Sequence, residues 1–408
     1  MATRRPSRIG LALAGGGPLG AIWEIGALCA LEESLVGVDL VGLDGYVGVS
    51  AGSFIAAGLA NGLTARELCT SFIENEGDEV IRPTLFVQPA FGEYARRAAA
   101  LPGLLLQAAW RYAFDRRGLL PAIEHIGRAL PAGLFSNAPL EAQLRRVFSR
   151  PGRSDDFRTF EGRLVIVATD LDSGQSAPFG LPGHDTVPIS RAVAASSALP
   201  GLFPPVEVEG RSYVDGALKK TLHARVLLDR GLDLVIALNP LVPFDSTRPQ
   251  RRRVASAADR PIPRLVDGGL PVVLSQTFRT LIHSRLELGL KGYETSHPGT
   301  DIVLFEPDHR DPEMFIANLF GYAQRRAMAE HAYQRTREDL RARRGPIAAT
   351  LARHGVALDH AVLDDPQRRL LRGGRAVPRD GARTARRLEQ VLDELERLLA
   401  ATTPQSAR

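Results

Sequence analysis

The chain has 408 residues, of which 44% are hydrophobic and 24% are charged, a composition typical of a globular protein with a sizeable core. The net charge is only +5 and the arginines are dispersed, which gives little support to nucleic-acid binding. The two cysteines, Cys29 and Cys69, indicate neither a disulfide framework nor a metal site. No apolar stretch approaches the ~20 residues of a membrane span, so we expect a cytoplasmic protein, with peripheral contact to a membrane surface left open.

The first 60 residues predict alternating strands and helices. An apolar run over 9–14 ends in glycines and predicts a buried strand, which a helix over 21–33 follows. A second strand over 46–49 leads into an Ala-rich helix that ends near Leu59. This alternation is typical of an α/β fold with a mainly parallel central sheet and helices on both faces. Further strands are predicted at 164–169, 212–214, 234–238 and 301–305.

Three segments differ from this alternation. Residues 77–139 are proline-punctuated and predict a helical insertion that could act as a lid. Residues 244–264 are rich in proline and arginine and predict a mobile loop. We therefore expect one α/β domain over 1–340 and a helical C-terminal extension over 341–408. The last helix of this extension carries an apolar stripe made of Leu388, Val391, Leu392, Leu395, Leu398 and Leu399.

Residues 48–52 form a G-x-S-x-G pattern, Gly-Val-Ser-Ala-Gly, between a predicted strand and a predicted helix. This is the context of a nucleophile elbow, a sharp turn that exposes a serine hydroxyl and requires small flanking residues. Ser50 is therefore a candidate catalytic nucleophile. The pattern alone favours a serine that only caps the following helix.

A glycine turn, Gly-Gly-Gly-Pro-Leu-Gly at 15–20, follows the first strand and begins the first helix. Acyl transfer needs backbone N–H groups directed at the oxyanion of the tetrahedral intermediate, and a glycine turn allows such close approach. Gly16 and Gly17 are candidate donors, together with the N–H group of Ala51. Pro18 has no N–H group and instead favours the start of a helix.

The same turn also matches the G-x-G-x-x-G fingerprint of dinucleotide-binding folds. Such a fold requires an acidic residue at the end of the second strand to hold a ribose. Asp39 has about the right separation, but it precedes the second strand instead of ending it. The nucleotide-binding hypothesis is therefore the weaker one.

Asp215 ends a short predicted strand and is followed by Gly216. A serine nucleophile needs a base within hydrogen-bonding distance, and a carboxylate at a strand end could supply it. None of the later histidines occupies a glycine-flanked turn after a strand, although His309 comes nearest to this context. A Ser50–Asp215 dyad is thus favoured over a triad, while an ordinary turn aspartate remains the alternative.

In type and order, the glycine turn, the G-x-S-x-G pattern and the Asp-Gly-Ala at 215–217 resemble the patatin-like phospholipase family. Two further blocks, 168–174 and 195–205, are similar to that family, and the resemblance covers about residues 9–240. One position departs from it, because Leu19 stands where the family usually carries Arg or Lys.

The resemblance implies a patatin-like fold and a serine hydrolase of lipid acyl esters, phospholipase A-type or lysophospholipase, that needs no metal or cofactor. Ser50 would be the nucleophile and Asp215 the general base. The oxyanion loop would consist of Gly15, Gly16 and Gly17. A thioesterase or acyltransferase with the same dyad, and a non-catalytic lipid-binding protein, are the alternatives. The predicted insertion would offer acyl chains an apolar surface made of Leu104, Leu105, Leu106, Trp110 and Phe114. A plain helical core made of the same residues is the alternative.

Overall fold

A computed structural model describes the fold of residues 5–76, 80–81, 85, 87–114, 131–247, 264–316 and 324–371. Of residues 104, 105, 107–114 and 271, the backbone alone is described.

Eight strands form one mixed sheet, and its central strands are parallel. In chain order the strands of this sheet are β1 (Ile9–Leu13), β3 (Gly45–Val49), β4 (Leu164–Asp170), β5 (Ser176–Phe179), β6 (Val206–Val208), β7 (Arg211–Asp215), β8 (Leu234–Leu238) and β9 (Asp301–Phe305). The parallel strands lie in the order β4-β3-β1-β8-β9, while β5, β6 and β7 run antiparallel to their neighbours. Two short strands, β2 (Leu35–Val36) and β10 (Ala357–Leu358), pair separately. Each strand expected from the sequence is confirmed, whereas β2, β5, β6 and β10 were not predicted.

The α-helices of the described residues connect and cover these strands. They are α1 (Gly17–Ser34), α2 (Ala51–Ala60), α3 (Ala65–Leu68), α4 (Phe91–Phe114), α5 (Ala138–Phe148), α6 (Ile189–Ser196), α7 (Arg225–Leu228), α8 (Gly269–Ser296), α9 (Pro312–Ile316), α10 (Arg325–Ala342), α11 (Arg344–Arg353) and α12 (His360–Asp364).

Helices cover both faces of the sheet, so its central strands are buried on both sides. On one face, Val47 and Val165 pack in an apolar cluster with Leu227 of α7 and Leu286 of α8. On the other face, Gly48 lies so close to α2 that an added Cβ atom would be 2.5 Å from the Gly52 carbonyl oxygen. The predicted α/β class with a mainly parallel sheet is therefore confirmed.

The structure describes only parts of the three unusual segments. The insertion predicted over 77–139 contains α4, which carries Pro102 in its interior. Its proposed role as a lid stays a prediction, and the side chains of Leu104, Leu105, Trp110 and Phe114 lie outside the described residues. Most of the loop predicted to be mobile, residues 248–263, also lies outside them.

The predicted C-terminal extension begins within the described residues, where it contributes α11, β10 and α12. Its last helix, with the apolar stripe, lies beyond residue 371 and outside the described residues. Of the described residues, those up to Leu370 belong to one compact unit, and a second unit begins at Leu371. The predicted division of the chain near residue 340 stays a prediction. In the part of the chain that the structure describes, no helix has the length and apolar character to cross a membrane.

Candidate active site

Ser50 lies in a strained turn between β3 and α2. Its φ of 51° and ψ of −121° fall outside the regions that a residue with a side chain favours. The side chain makes no capping hydrogen bond to α2, so helix capping does not account for the serine. A Cβ atom on Gly52 would lie 2.6 Å from the Ala14 carbonyl oxygen, and this close approach explains the glycine. Strain of this kind is often retained at functional sites, where the surrounding structure holds it in place.

The sheet brings the end of β7 to the end of β3. Val167 in β4 pairs with β3 on one edge and with β5 on the other, whereas Ala168 pairs with β5 and β7. Each strand can pair along two edges, and β5 occupies one edge of β4 at both Val167 and Ala168. On the other edge, β3 pairs with β4 up to Val49, and β7 pairs with β4 beyond that point, running antiparallel. An added Cβ atom on Gly216 would lie 3.1 Å from Val49 Cγ1, which agrees with this arrangement. Ser50, which directly follows β3, and Asp215, which ends β7, therefore meet.

The carboxyl group of Asp215 is buried and interacts with Ser50. Burial raises the pKa of this carboxyl group to about 6, and hydrogen bonds from the Ser50 hydroxyl and the Ala217 N–H group act to lower it. The Ala217 nitrogen lies 2.8 Å from Asp215 Oδ1. The site thus holds a serine hydroxyl against a carboxyl group that is ionised at neutral pH, which is the arrangement a base-activated nucleophile needs.

The glycine turn lies beside Ser50. An added Cβ atom on Gly15 would be 3.1 Å from Ser50 Cβ and 3.7 Å from Ser50 Oγ. Gly17 has a φ of +60°, and Gly16 precedes the first residue of α1. Among the described residues, the N–H groups of Gly15, Gly16, Gly17 and Ala51 have no hydrogen-bond acceptor. Such unsatisfied N–H groups at helix starts can stabilise a negatively charged oxygen.

Ser196, at the end of α6, holds the elbow in place and was not singled out from the sequence. The Ser50 N–H group donates to Ser196 Oγ at 2.8 Å. That hydroxyl in turn donates to the Val167 carbonyl oxygen at 2.7 Å. Ser196 thereby links the backbone of Ser50, which follows β3, to β4 just before the position at which β7 begins to pair with it.

The backbone of Asp215 is held by two further residues. Its N–H group donates to the Ala198 carbonyl oxygen at 3.0 Å, and Thr169 Oγ1 donates to its carbonyl oxygen at 3.2 Å. Ala198 and Thr169 belong to the two further blocks that resemble the family, 195–205 and 168–174. Those blocks were the sequence signal for the residues that support the site, but their pattern did not reveal which atoms they contact.

The burial of Leu19 explains why an apolar residue is tolerated where the family usually carries a cation. Its side chain is buried in the first turn of α1, where only 3% of the residue is exposed. An arginine or lysine at this position would have to place its charge in an apolar environment unless the surroundings rearranged. The departure from the family pattern therefore leaves the backbone of the glycine turn intact and replaces a cation with apolar packing.

Asp39 lies far from the position that a dinucleotide fold requires. It occupies a turn in which its own side chain accepts a hydrogen bond from the Val41 N–H group at 3.0 Å. This turn precedes β3, so it lies at the side of the sheet where the N-terminal ends of the parallel strands β1 and β3 lie. The glycine turn follows β1 and lies at the opposite edge, which argues against a ribose bridging the two.

The histidines make other contacts. The ring of His223 is buried, and its Nε2 atom lies 3.4 Å from the Gly216 carbonyl oxygen. Burial lowers the pKa of His223 to about 4, so its imidazole is neutral at pH 7. His309 packs its ring against His283 with the ring centres 4.8 Å apart. Within the described ranges, no group of three or more His, Cys, Asp or Glu side chains could hold a metal ion.

One family profile and several known proteins match this sequence. The sequence profile of the patatin-like phospholipase family matches residues 11–228. Lysophospholipase nte1 of Aspergillus fumigatus is 28% identical over 243 residues, which are 59% of this chain and 12% of the fungal protein. The uncharacterized protein R571 of Acanthamoeba polyphaga mimivirus is 26% identical over 56% of this chain and 64% of its own length. This chain thus corresponds to only a small part of the fungal relative.

Solved structures give more distant matches. VipD from Legionella pneumophila matches 80% of this chain and 67% of its own, with 14% identity and a TM-score of 0.33. The type III effector protein ExoU of Pseudomonas aeruginosa matches 81% of this chain and 54% of its own, with 18% identity and a TM-score of 0.29. Because the family profile covers more than half of the 408 residues, and includes the glycine turn, the Ser50 elbow and Asp215, the chain belongs to the patatin-like phospholipase family.

Proposed function

We propose that the protein hydrolyses acyl esters of lipids, as a phospholipase A-type enzyme or a lysophospholipase, with Ser50 as nucleophile and Asp215 as general base. The observation that carries this proposal is the contact between the Ser50 hydroxyl and the buried Asp215 carboxyl group. Membership of the family and the similarity to proteins named lysophospholipases support a lipid ester as the substrate.

The first step forms an acyl-enzyme. Asp215 accepts the proton of the Ser50 hydroxyl while Ser50 Oγ attacks the ester carbonyl carbon. The carbonyl oxygen becomes negatively charged and accepts hydrogen bonds from the N–H groups of the glycine turn, Gly15 to Gly17, and of Ala51. As the intermediate collapses, the bond to the alkoxy group breaks. The leaving alcohol or lysophospholipid takes the proton from Asp215.

The second step releases the fatty acid. Water replaces the alcohol as the attacking group, and Asp215 accepts its proton as the new carbon–oxygen bond forms. The bond between the acyl group and Ser50 Oγ then breaks, and the proton returns to that oxygen. The same two side chains therefore serve both halves of the reaction, and the position of the oxyanion donors need not change.

Two alternatives use the same site differently. In a thioesterase, a thiol leaves in the first step, and in an acyltransferase, an alcohol other than water accepts the acyl group in the second. A non-catalytic lipid-binding protein would need neither the strained Ser50 turn nor a buried carboxyl group beside it. The retention of both features therefore favours an enzyme.

The proposal can be tested by labelling with a fluorophosphonate probe, followed by peptide mass mapping. Wild type is compared with Ser50→Ala and Asp215→Asn, and with Ser197→Ala as a matched control one residue beyond Ser196. We expect the probe to modify Ser50 only, both site variants to lose labelling, and the control to react like wild type. Labelling of another serine, or none in folded wild-type protein, would show the assignment to be wrong.

The acceptor can be identified with the same variants. Lysophosphatidylcholine, a diacyl phospholipid and an acyl-CoA are supplied separately, and released fatty acid is measured with and without an added alcohol. We expect fatty acid from the oxygen esters, with little transfer to the alcohol. Faster cleavage of the thioester would favour a thioesterase, and acyl transfer to the alcohol would favour an acyltransferase.

A further inference from the structure

Exposed apolar side chains recur along one side of α8. Large apolar side chains are exposed there at Leu270, Leu274, Phe278, Leu281 and Leu288, with 70% of Leu270 and 68% of Leu288 exposed. At about 100° per residue, these positions lie within about 80° of one another around the helix axis. They form a stripe about 27 Å long, at 1.5 Å per residue. Arg285 lies in the same sector between Leu281 and Leu288, so the stripe combines apolar side chains with one cation. Exposed apolar side chains that recur along one helix face indicate an interaction site.

A cationic pocket adjoins the C-terminal half of this helix. It has a volume of about 500 Å³ and lies between α8 and residues 219–225. None of the thirteen described residues that line it is acidic. Four of them carry positive charges, and two of these four are among the three lysines of the whole chain. The four cations are Lys219, Lys220, Arg225 and Arg285.

Most of these cations already have partners. Lys219 Nζ donates to the Gly174 carbonyl oxygen at 2.7 Å, and Arg285 donates to the Leu218 carbonyl oxygen at 3.1 Å. Arg225 pairs with Asp229 at 3.2 Å. For Lys220, which is exposed, no acceptor is found among the described residues. The pocket thus keeps an excess of positive charge that an anion could neutralise.

The stripe and the pocket are continuous. Arg285 and Leu288 line the pocket, and by helical spacing both positions fall on the stripe. The surface therefore passes from apolar side chains on α8 to Arg285 on the same helix and to the cations of residues 219–225. This combination matches an anionic bilayer, in which negatively charged headgroups cover an apolar interior.

We propose that the stripe of α8 and the adjoining cationic pocket form the surface by which the protein docks on membranes that contain anionic lipids. The apolar side chains enter the outer part of the acyl layer, and the pocket receives a lipid phosphate group. This inference rests on the proposed lipid substrate, which such docking would bring to the protein.

The position of α8 relative to the sheet agrees with this role. Gln276 accepts a hydrogen bond from the Phe244 N–H group at 3.1 Å, and Arg279 donates to the Val242 carbonyl oxygen at 3.2 Å. Both contacted segments follow β8, so the first half of α8 lies at the edge of the sheet where the parallel strands end. Ser50 lies at the same edge, after β3.

The test is sedimentation of the full chain with phosphatidylcholine vesicles, prepared with and without phosphatidylglycerol. All proteins carry Ser50→Ala, so that turnover does not change the vesicles. Phe278→Ser combined with Leu281→Ser tests the stripe, and Val36→Ser is its control at another exposed apolar side chain. Lys220→Ala tests the pocket, and Lys291→Ala is its control because that exposed lysine of α8 does not line the pocket.

The Ser50→Ala protein should bind the vesicles more tightly when phosphatidylglycerol is present. Lys220→Ala should lower the affinity for anionic vesicles about fivefold, as expected for one cation near a charged surface. The stripe variant should lower the affinity for both vesicle types at least tenfold, since two buried apolar side chains are lost. Both controls should bind like the parent protein. Inorganic phosphate, added as a competitor, should displace the protein only weakly, because it lacks the apolar part of the ligand.

Three results would overturn the docking surface. The first is that the parent protein, Ser50→Ala, fails to bind anionic vesicles. The second is that both test variants bind the vesicles with the affinity of the parent protein. The stripe variant could instead change the oligomeric state measured by light scattering, in which case a second copy covers α8. Hydrolysis of a soluble short-chain ester by the same variants with Ser50 intact separates docking from catalysis. Lost vesicle binding with normal hydrolysis supports the surface, whereas absent hydrolysis with normal vesicle binding contradicts only the proposed function.

Discussion

The buried carboxyl group of Asp215 should give the hydrolase activity a steep dependence on pH. Asp215 can accept the Ser50 proton only when it is ionised, and burial raises the pKa of its carboxyl group to about 6. Below this pH, the ionised fraction falls about tenfold for each pH unit. We therefore expect kcat/KM to be constant above pH 7 and to fall to about a hundredth of that value at pH 4.

The same pKa predicts how stability changes with pH. An ordinary aspartate titrates near 3.8, so the folded protein holds this proton more tightly than the unfolded chain does. Below about pH 4 the group is protonated in both states and has no effect. Between about pH 4 and 6 the unfolded chain ionises first, and the free energy of unfolding falls. Above pH 6 the free energy of unfolding falls no further. The total loss is about 3 kcal/mol, because the pKa differs by about two units between the folded and unfolded states and each unit corresponds to 1.36 kcal/mol.

Asp215→Asn removes this titration and should therefore gain stability relative to wild type as the pH rises. The gain should grow from near zero at pH 4 to about 3 kcal/mol at pH 8. Urea unfolding at both pH values measures it, with Asp172→Asn as a control at an exposed carboxylate. The activity profile is measured on a soluble ester. If kcat/KM stays constant down to pH 4.5, or if the stability difference does not change with pH, the reasoning about Asp215 is refuted.

Three substitutions test the residues around the dyad. Ser196→Ala leaves the Ser50 N–H group and the Val167 carbonyl group without their bridge, so urea unfolding should show a loss of about 1–3 kcal/mol and fluorophosphonate labelling should slow. Labelling at the wild-type rate would contradict the role given to Ser196. Gly52→Ala places a Cβ atom 2.6 Å from the Ala14 carbonyl oxygen and should destabilise the fold by about 1–3 kcal/mol, with slower labelling because the glycine turn must shift. Leu19→Arg introduces an unpaired charge at a buried position and should lower the free energy of unfolding by about 3 kcal/mol or more. Unchanged thermal stability with faster ester hydrolysis would show that the family's cation can be accommodated after all.

The sequence by itself determined the local parts of this protein. The apolar runs that became β1, β3 and β8 were recognisable because strands buried on both faces are continuously hydrophobic. The glycine turn and the elbow at Ser50 were recognisable because sharp turns tolerate only small residues at fixed spacing. The order of these motifs along the chain was enough to indicate the family.

Only the tertiary structure decided how the motifs meet. Asp215 lies beside Ser50 because β7 occupies the edge of β4 that β3 leaves, and Ser196 links the backbone of Ser50 to β4. Strand pairing of this kind depends on contacts between residues far apart in the chain, and no local pattern specifies which edge a strand will occupy. For the same reason the sequence did not single out α8. Apolar residues on both sides of this helix look alike in the sequence. Only the packing of one side against the sheet shows which of them are exposed.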